Sequence, residues 1–277
     1  MIIVKQNNSP KGIRNMRIVV KVGTSTLAHP TGQLNIRHME ELCKVLSDIK
    51  NAGDEVILVS SGAIGMGMGK LHLRERPKSL PEKQAAAAVG QCELMYTYDK
   101  LFSEYNHTVA QLLLTADDIH DPRRSIHVHD TIERLLDYGA MPIINENDAV
   151  ATDEIGIETT IGENDTLAAI VARLVSADRL ILLSDIDGLY TADPHKDTHA
   201  ALIPTVTELT EEIFALAGSA GTSLGSGGMA TKLKAASITM EAGIDMFIAN
   251  GEAPEILYDL FEGKPVGTHF LGKKVQP

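Results

Sequence analysis

The segments RIVVKVG (residues 17–23), NIRHMEELCKVLSDIKNAG (35–53) and EVILVSSG (55–62) follow one another near the start of a chain of 277 residues. The first and third are short, valine-rich runs without strict polar alternation, the pattern of strands buried on both faces. Between them Ile36, Met39, Leu42, Val45, Leu46 and Ile49 recur at helical spacing, with Asn35 as N-cap and Gly53 as terminator. Strand, helix, strand is the unit of a parallel sheet. The chain then repeats it. VAQLLLT (109–115), MPIINEND (141–148), RLILLSD (179–185) and IDMFIAN (244–250) read as further strands. EKQAAAAVGQCELMYTYDKLF (82–102), SIHVHDTIERLLDYG (125–139), NDTLAAIVARLVSAD (164–178) and TKLKAASITMEAG (231–243) read as helices. The fold class expected is α/β, a mainly parallel sheet covered on both faces. AVATDEIGIETTIG (149–162) reads as a β-hairpin excursion and LAGSAGTSLGSGGM (216–229) as a long loop. Neither divides the chain, so one domain with two lobes is expected, after a loosely attached lead-in over residues 1–16.

Composition narrows the partners. The net charge is −12, tryptophan is absent and aromatic residues make up 4%. That balance disfavours nucleic acid and anionic membrane as partners. An anionic ligand must instead be attracted locally, by a few lysines and helix N-termini. Cys43 and Cys92 fall in expected helices without CxxC or metal spacing, and read as a pair of buried free thiols in a cytoplasmic protein. No apolar run approaches the ~20 residues of a membrane span, and the opening residues lack the apolar core of a signal peptide.

The expected strands end in small or polar residues: KVGTS, SSGAIG, LLTADD, NENDAV and SDIDG. Ligands of open parallel sheets bind at the carboxyl ends of the strands, so the site is expected along that edge. Lys21 stands in a strand otherwise made of valine, where it needs an anion unless the strand is an edge and the lysine faces water. VSSGAIGMGMGK (59–70) is either a ligand-approaching glycine turn or a plain tight turn. In INENDAVAT (144–152), Asp148 can take an amine and Asn147 a carboxylate or amide; a solvated turn is the alternative. Asp165 in IGENDTLAAIVA is either an N-cap or an acid that positions lysines. LLSDIDGLYTADP (182–194) is an ordinary strand–helix connection or a strand opening onto a nucleotide. GSGGMATKLKAA (225–236) is not a Walker loop, because Lys232 follows Thr231 rather than glycine and Leu233 occupies the hydroxyl position. His127 and His129 lie on different faces of a helix and lack metal-ligand spacing.

Taken in order, VVKVGTSTL, VSSGAI, QLLLTADD, INENDAVAT, GENDTLAA, SDIDGLYTADP and GSGGMATKL resemble the amino acid kinase family, from about Arg17 to Phe270. The INENDAVA segment is most similar to the members that phosphorylate the γ-carboxylate of L-glutamate with ATP and Mg²⁺, the first step of proline biosynthesis. The resemblance implies an αβα sandwich around a sheet of about eight strands over residues 17–277, with an N-terminal lobe for glutamate and a C-terminal lobe for ATP. It implies Lys21 and Lys232 as catalytic lysines and Asp165 as the acid that organises them. It assigns Ser61, Gly62, Ala63, Asp148 and Asn164 to glutamate. To ATP it assigns Lys21, Ser184, Asp185, Ser226, Gly227, Gly228, Met229, Ala230, Thr231 and Lys232. Homodimers or tetramers and feedback inhibition by proline are further implications. Many relatives carry a C-terminal accessory domain of RNA-binding type, whereas this sequence ends at FLGKKVQP. Another family member acting on a different small acid or carbamate, and a non-catalytic sensor, are the competing readings.

Overall fold

The computed structural model describes residues 15–29, 33–150, 164–194, 196–219 and 228–273. In chain order the elements are β1 (Arg17–Val22), α1 (Thr24–Leu27), α2 (Ile36–Asn51), β2 (Glu55–Ser60), α3 (Ala63–Lys70), α4 (Leu80–Ser103), β3 (Val109–Leu114), α5 (Ala116–His120), α6 (Pro122–Asp137) and β4 (Met141–Glu146). They continue with α7 (Asn164–Leu174), β5 (Arg179–Ser184), β6 (Thr205–Val206), α8 (Glu211–Ser219), α9 (Met229–Glu241), β7 (Asp245–Asn250), α10 (Ile256–Phe261) and β8 (Thr268–Phe270).

The eight strands form one sheet in the order β3-β4-β2-β1-β5-β7-β8-β6. Only β7 and β8 pair antiparallel; the other neighbours run parallel. Side chains alternate along a strand, and here both faces are apolar. Val19, Ile57, Ile144 and Leu182 pack with α6, α7 and α9. Val20, Leu58, Ile143 and Leu183 pack with α2, α4 and α10. The result is the expected αβα sandwich. The five strands whose polar ends were singled out are contiguous and parallel, so those ends share one edge.

Local chemistry accounts for the helix starts. Asn35 Oδ1 accepts the His38 amide, and Gly53 turns the chain away with φ +113°. Glu82 returns to the Ser79 amide in a capping box ahead of the alanine run of α4. Asp121 caps α6 by accepting from the amides of Arg123 and Arg124.

Several expectations change. Gly62 makes the expected turn, but Gly65, Gly67 and Gly69 after it lie inside a helix, α3. Packing explains it: a Cβ on Gly67 would lie 1.8 Å from the Ala86 carbonyl oxygen, and one on Gly90 would lie 1.8 Å from that of Ala63. These glycines let the backbones of α3 and α4 touch, and the contact outweighs their poor helix propensity. Residues 216–219 close α8 instead of opening a loop, while 220–227 lie outside the described residues. The expected hairpin lies outside them too, apart from Ala149 and Val150, which finish the turn after β4. Met16, assigned to the lead-in, is tied down: its amide donates to Asp54 and its carbonyl accepts from Glu55. Cys43 is buried as expected, but Cys92 is exposed on α4.

Gly90→Ala should destabilise the protein by about 1–3 kcal/mol, the usual cost of overpacking, because the clash is with backbone rather than a movable side chain. Thermal unfolding checks this, and an unchanged melting temperature would contradict the close α3–α4 contact.

Candidate active site

Lys21 points to the same sheet face as Val19, toward the first turn of α7. There its Nζ meets Asp165 Oδ1 at 2.6 Å. The second oxygen of Asp165 accepts from Lys232 Nζ at 3.2 Å and from the Thr231 hydroxyl at 3.0 Å, both from the start of α9. Exposure is 1% for Asp165, 5% for Lys232 and 8% for Lys21. The solvent-facing reading of Lys21 is therefore excluded, and Asp165 does more than cap a helix. Burial alone would raise the Asp165 pKa, but the charges of Lys21 and Lys232 outweigh it and hold the carboxyl below its ordinary range. Lys21 is shifted below an ordinary lysine, first by burial and also by the like charge of Lys232, against the pull of Asp165. Two buried ammonium groups converge on this carboxylate beside the N-termini of α7 and α9, with exposed Asp185 also acting on Lys21. That is a site for an anion.

The glutamate set gathers one strand over. Gly62 holds φ +99°, a left-handed turn that glycine adopts without strain, and starts α3. The first amides of α3, Ala63 included, have no partner within the helix. Ala63 is itself buried against α4, so its contribution would be its backbone. Asn164 Nδ2 donates to Ser61 Oγ at 2.7 Å and Asn145 Oδ1 at 3.1 Å, and its own Oδ1 is buried without a partner among the described residues. Asp148, half-buried in the turn after β4, lines a cleft of about 230 Å³ together with Ala63 and Asn147. That volume falls below the ~300–1,000 Å³ of drug-sized ligand pockets and suits a small amino acid.

The nucleotide set is less compact. Ser184 is buried at the end of β5, its hydroxyl donating to exposed Asp185 at 3.1 Å. Gly228 is the N-cap of α9 and Ala230 is exposed in its first turn. Met229 turns its side chain into the hydrophobic core, which leaves only its backbone for the expected nucleotide contact. Ser226 and Gly227 lie outside the described residues. No group of three His, Cys, Asp or Glu side chains suited to a metal ion occurs among the described residues, His127 and His129 included.

The residue reading missed Gln91 on α4. Its Oε1 accepts from Asn145 Nδ2 at 2.8 Å, and it lines the cleft. It also missed Tyr98, whose hydroxyl bonds Ser60 at 2.9 Å beneath Ser61. Nothing local flags either residue, since both sit on an alanine-rich helix that reads as packing.

Comparison with known proteins adds to this geometry. The model of the amino acid kinase family matches residues 16–250. The chain is 53% identical over 258 residues to the glutamate 5-kinase of Clostridium perfringens, covering 93% of this chain and 96% of that one. It is 56% identical over 260 residues to the glutamate 5-kinase of Clostridium tetani, covering 94% and 95%. The solved carbamate kinase from Giardia lamblia bound to AMP-PNP superposes with a TM-score of 0.65 at 17% identity, covering 94% and 99%. At that identity the likeness is one of fold.

Asp165→Asn should leave two buried lysines facing each other and cost about 3–5 kcal/mol at neutral pH. The folded carboxyl titrates below its unfolded value. Its contribution is therefore complete above roughly pH 3.9 and is lost as pH falls through the lower folded value. The difference in unfolding free energy between wild type and variant should narrow below that pH in denaturant titrations. A gap that stays constant down to pH 2 would contradict the ion-pair account.

Proposed function

The chain belongs to the amino acid kinase family, and on that premise we propose that it transfers the γ-phosphoryl group of ATP to the γ-carboxylate of L-glutamate. The product is L-glutamyl 5-phosphate, and the step opens proline biosynthesis. The observation that carries this reading is the buried convergence of Lys21 and Lys232 on Asp165.

The chemistry fits those groups. A γ-carboxylate is ionised at neutral pH and needs no general base. The barrier lies in bringing two anions into line, so positioning and fixed positive charge are what the protein must supply. Lys21 and Lys232 are proposed to receive the transferring phosphoryl group and the developing charge. Asp165 acts through them as a positioning residue, holding both ammonium groups at one point. The amides at the start of α3, beside Ser61 and Gly62, are proposed to hold the γ-carboxylate. Asp148 takes the α-ammonium, which favours a free amino acid over an acetylated one. Ser184, Asp185 and residues 226–232 are proposed to bind ATP. Asp165 already has both oxygens engaged, so magnesium would enter as MgATP, carried by phosphate and water, where it neutralises phosphate charge.

The wider reading follows the same line. Both cysteines are free, in keeping with a reducing compartment such as the cytoplasm. Among the described residues no helix is long and apolar enough to cross a membrane. We also propose a homodimer or tetramer, and proline as an inhibitor that competes for the contacts of Ser61 and Asp148. Millimolar proline should then slow the reaction at limiting glutamate, and an unchanged rate would remove that proposal.

Hydroxylamine traps acyl phosphates as hydroxamates. With MgATP, hydroxamate should form from L-glutamate and not from N-acetyl-L-glutamate or L-aspartate, and carbamate should release no ADP. A preference for another acid would overturn the substrate. Lys232→Ala should lower turnover by at least ~10²–10³-fold while the protein still unfolds cooperatively. Near-normal turnover would take Lys232 out of the mechanism.

A further inference from the structure

The amide orientations at the floor of the cleft are fixed by a chain of hydrogen bonds. The Glu146 backbone N–H can only donate, and it donates to Asn145 Oδ1 at 2.9 Å. Asn145 must therefore present its Nδ2 to Gln91, whose Oε1 accepts at 2.8 Å. That leaves Gln91 Nε2 as a donor with no partner among the described residues. Gln91 is only 8% exposed and lines the cleft of about 230 Å³ shared with Asp148 and Ala63. The side chain is held in place on its acceptor side, and its donor opens on the cleft, where a ligand group can take it up.

The charges around the cleft say which ligand group that is. Asp148 and Glu146 line it, with no lysine or arginine among its described lining residues. An amino acid bound there has its ammonium answered by Asp148, but its α-carboxylate needs a neutral donor held in place. Position agrees. β4, which leads to Asp148, is two places from β1 in the sheet, roughly 10 Å at ~4.8 Å per strand. A substrate with its γ-end near Lys21 thus turns its α-end toward β4 and α4.

We infer that Gln91 is a specificity-determining residue, its Nε2 donating to the α-carboxylate of the substrate while Asn145 and Glu146 lock its orientation. This rests on the proposal that the substrate is L-glutamate. The discriminating ligand is 4-aminobutyrate, which keeps the carboxylate that would be phosphorylated and lacks the α-carboxylate. Its amine stays on the carbon that bears it in L-glutamate, so the two ligands differ by that carboxylate alone, and the comparison between variants isolates the part owed to Gln91.

Gln91→Glu keeps the acceptor for Asn145 and removes the donor, and Gln91→Met removes both without adding charge. Both variants should raise the KM for L-glutamate by roughly tenfold to a hundredfold, the range for a hydrogen bond to a charged group. The KM for MgATP should stay within about twofold of wild type. The wild-type preference in kcat/KM for L-glutamate over 4-aminobutyrate should fall by the same factor as glutamate binding. A purely structural role for Gln91 would weaken both acids together and leave that ratio intact, which would overturn the inference. The rise in melting temperature produced by L-glutamate, large in wild type and reduced in both variants, reads the same contact without turnover. Absence of hydroxamate in the wild type would instead sink the substrate reading. In that case the melting shifts still decide whether Gln91 holds a carboxylate: equal shifts in wild type and variants would refute it.

Discussion

Three charged side chains meet almost out of contact with water, and the site depends on how they are balanced. Removing a charge from water costs several kcal/mol even after relaxation, so Lys21 in a central strand would be untenable alone. Asp165 makes it tenable, and its second oxygen does the same for Lys232. Both ammonium groups converge on one carboxylate, and the exposed Asp185 also acts on Lys21. A phosphate entering this point meets charge that the protein has already desolvated and fixed, the condition under which electrostatic stabilisation acts most strongly.

The period-two alternation of the strands divides the labour. Lys21 faces α7 and α9, so the groups proposed for phosphoryl transfer lie on one side of the sheet. Asn145 faces α4 on the other side, where it meets Gln91. Asn164 bridges the halves, since it begins α7 yet donates to Ser61 and Asn145. The α3–α4 contact then has a functional consequence. Gly67 and Gly90 bring the backbones together, and that contact sets the start of α3, with Gly62 and Ala63, against the helix that carries Gln91.

Periodicity made most of the sheet legible, because a strand buried on both faces leaves an apolar run that little else in a soluble chain produces. It could not reveal α3, where the high glycine content argues against a helix until the partner helix is known. The short β6 and β8 and the antiparallel turn of β8 were equally hidden, since two or three residues carry no period. Strand-end chemistry pointed to the sheet edge where Lys21, Asp165 and Lys232 converge, and the family resemblance singled out the two lysines. The convergence of Lys21, Asp165 and Lys232 needs the sheet order, which brings together residues separated by more than a hundred positions. Gln91 needed more still, because its meaning comes from the direction of a bond fixed by the Glu146 amide.

A chain of net charge −12 that binds a polyanion beside an anionic amino acid faces a long-range field of the wrong sign. Long-range steering therefore cannot account for binding, and attraction must arise within a few ångströms. The described residues supply it from buried sources that salt screens weakly: two lysines and the N-termini of α3, α7 and α9. At the proposed amino-acid end, the described residues lining the cleft include no lysine or arginine. There a neutral amide can donate to the carboxylate without adding charge that would also hold the nucleotide, an arrangement that would draw the two anions to different ends of one edge. Segregating charged donors to the proposed reacting end and neutral donors to the proposed recognition end would let the enzyme select its acid without trapping phosphate in the acid's place.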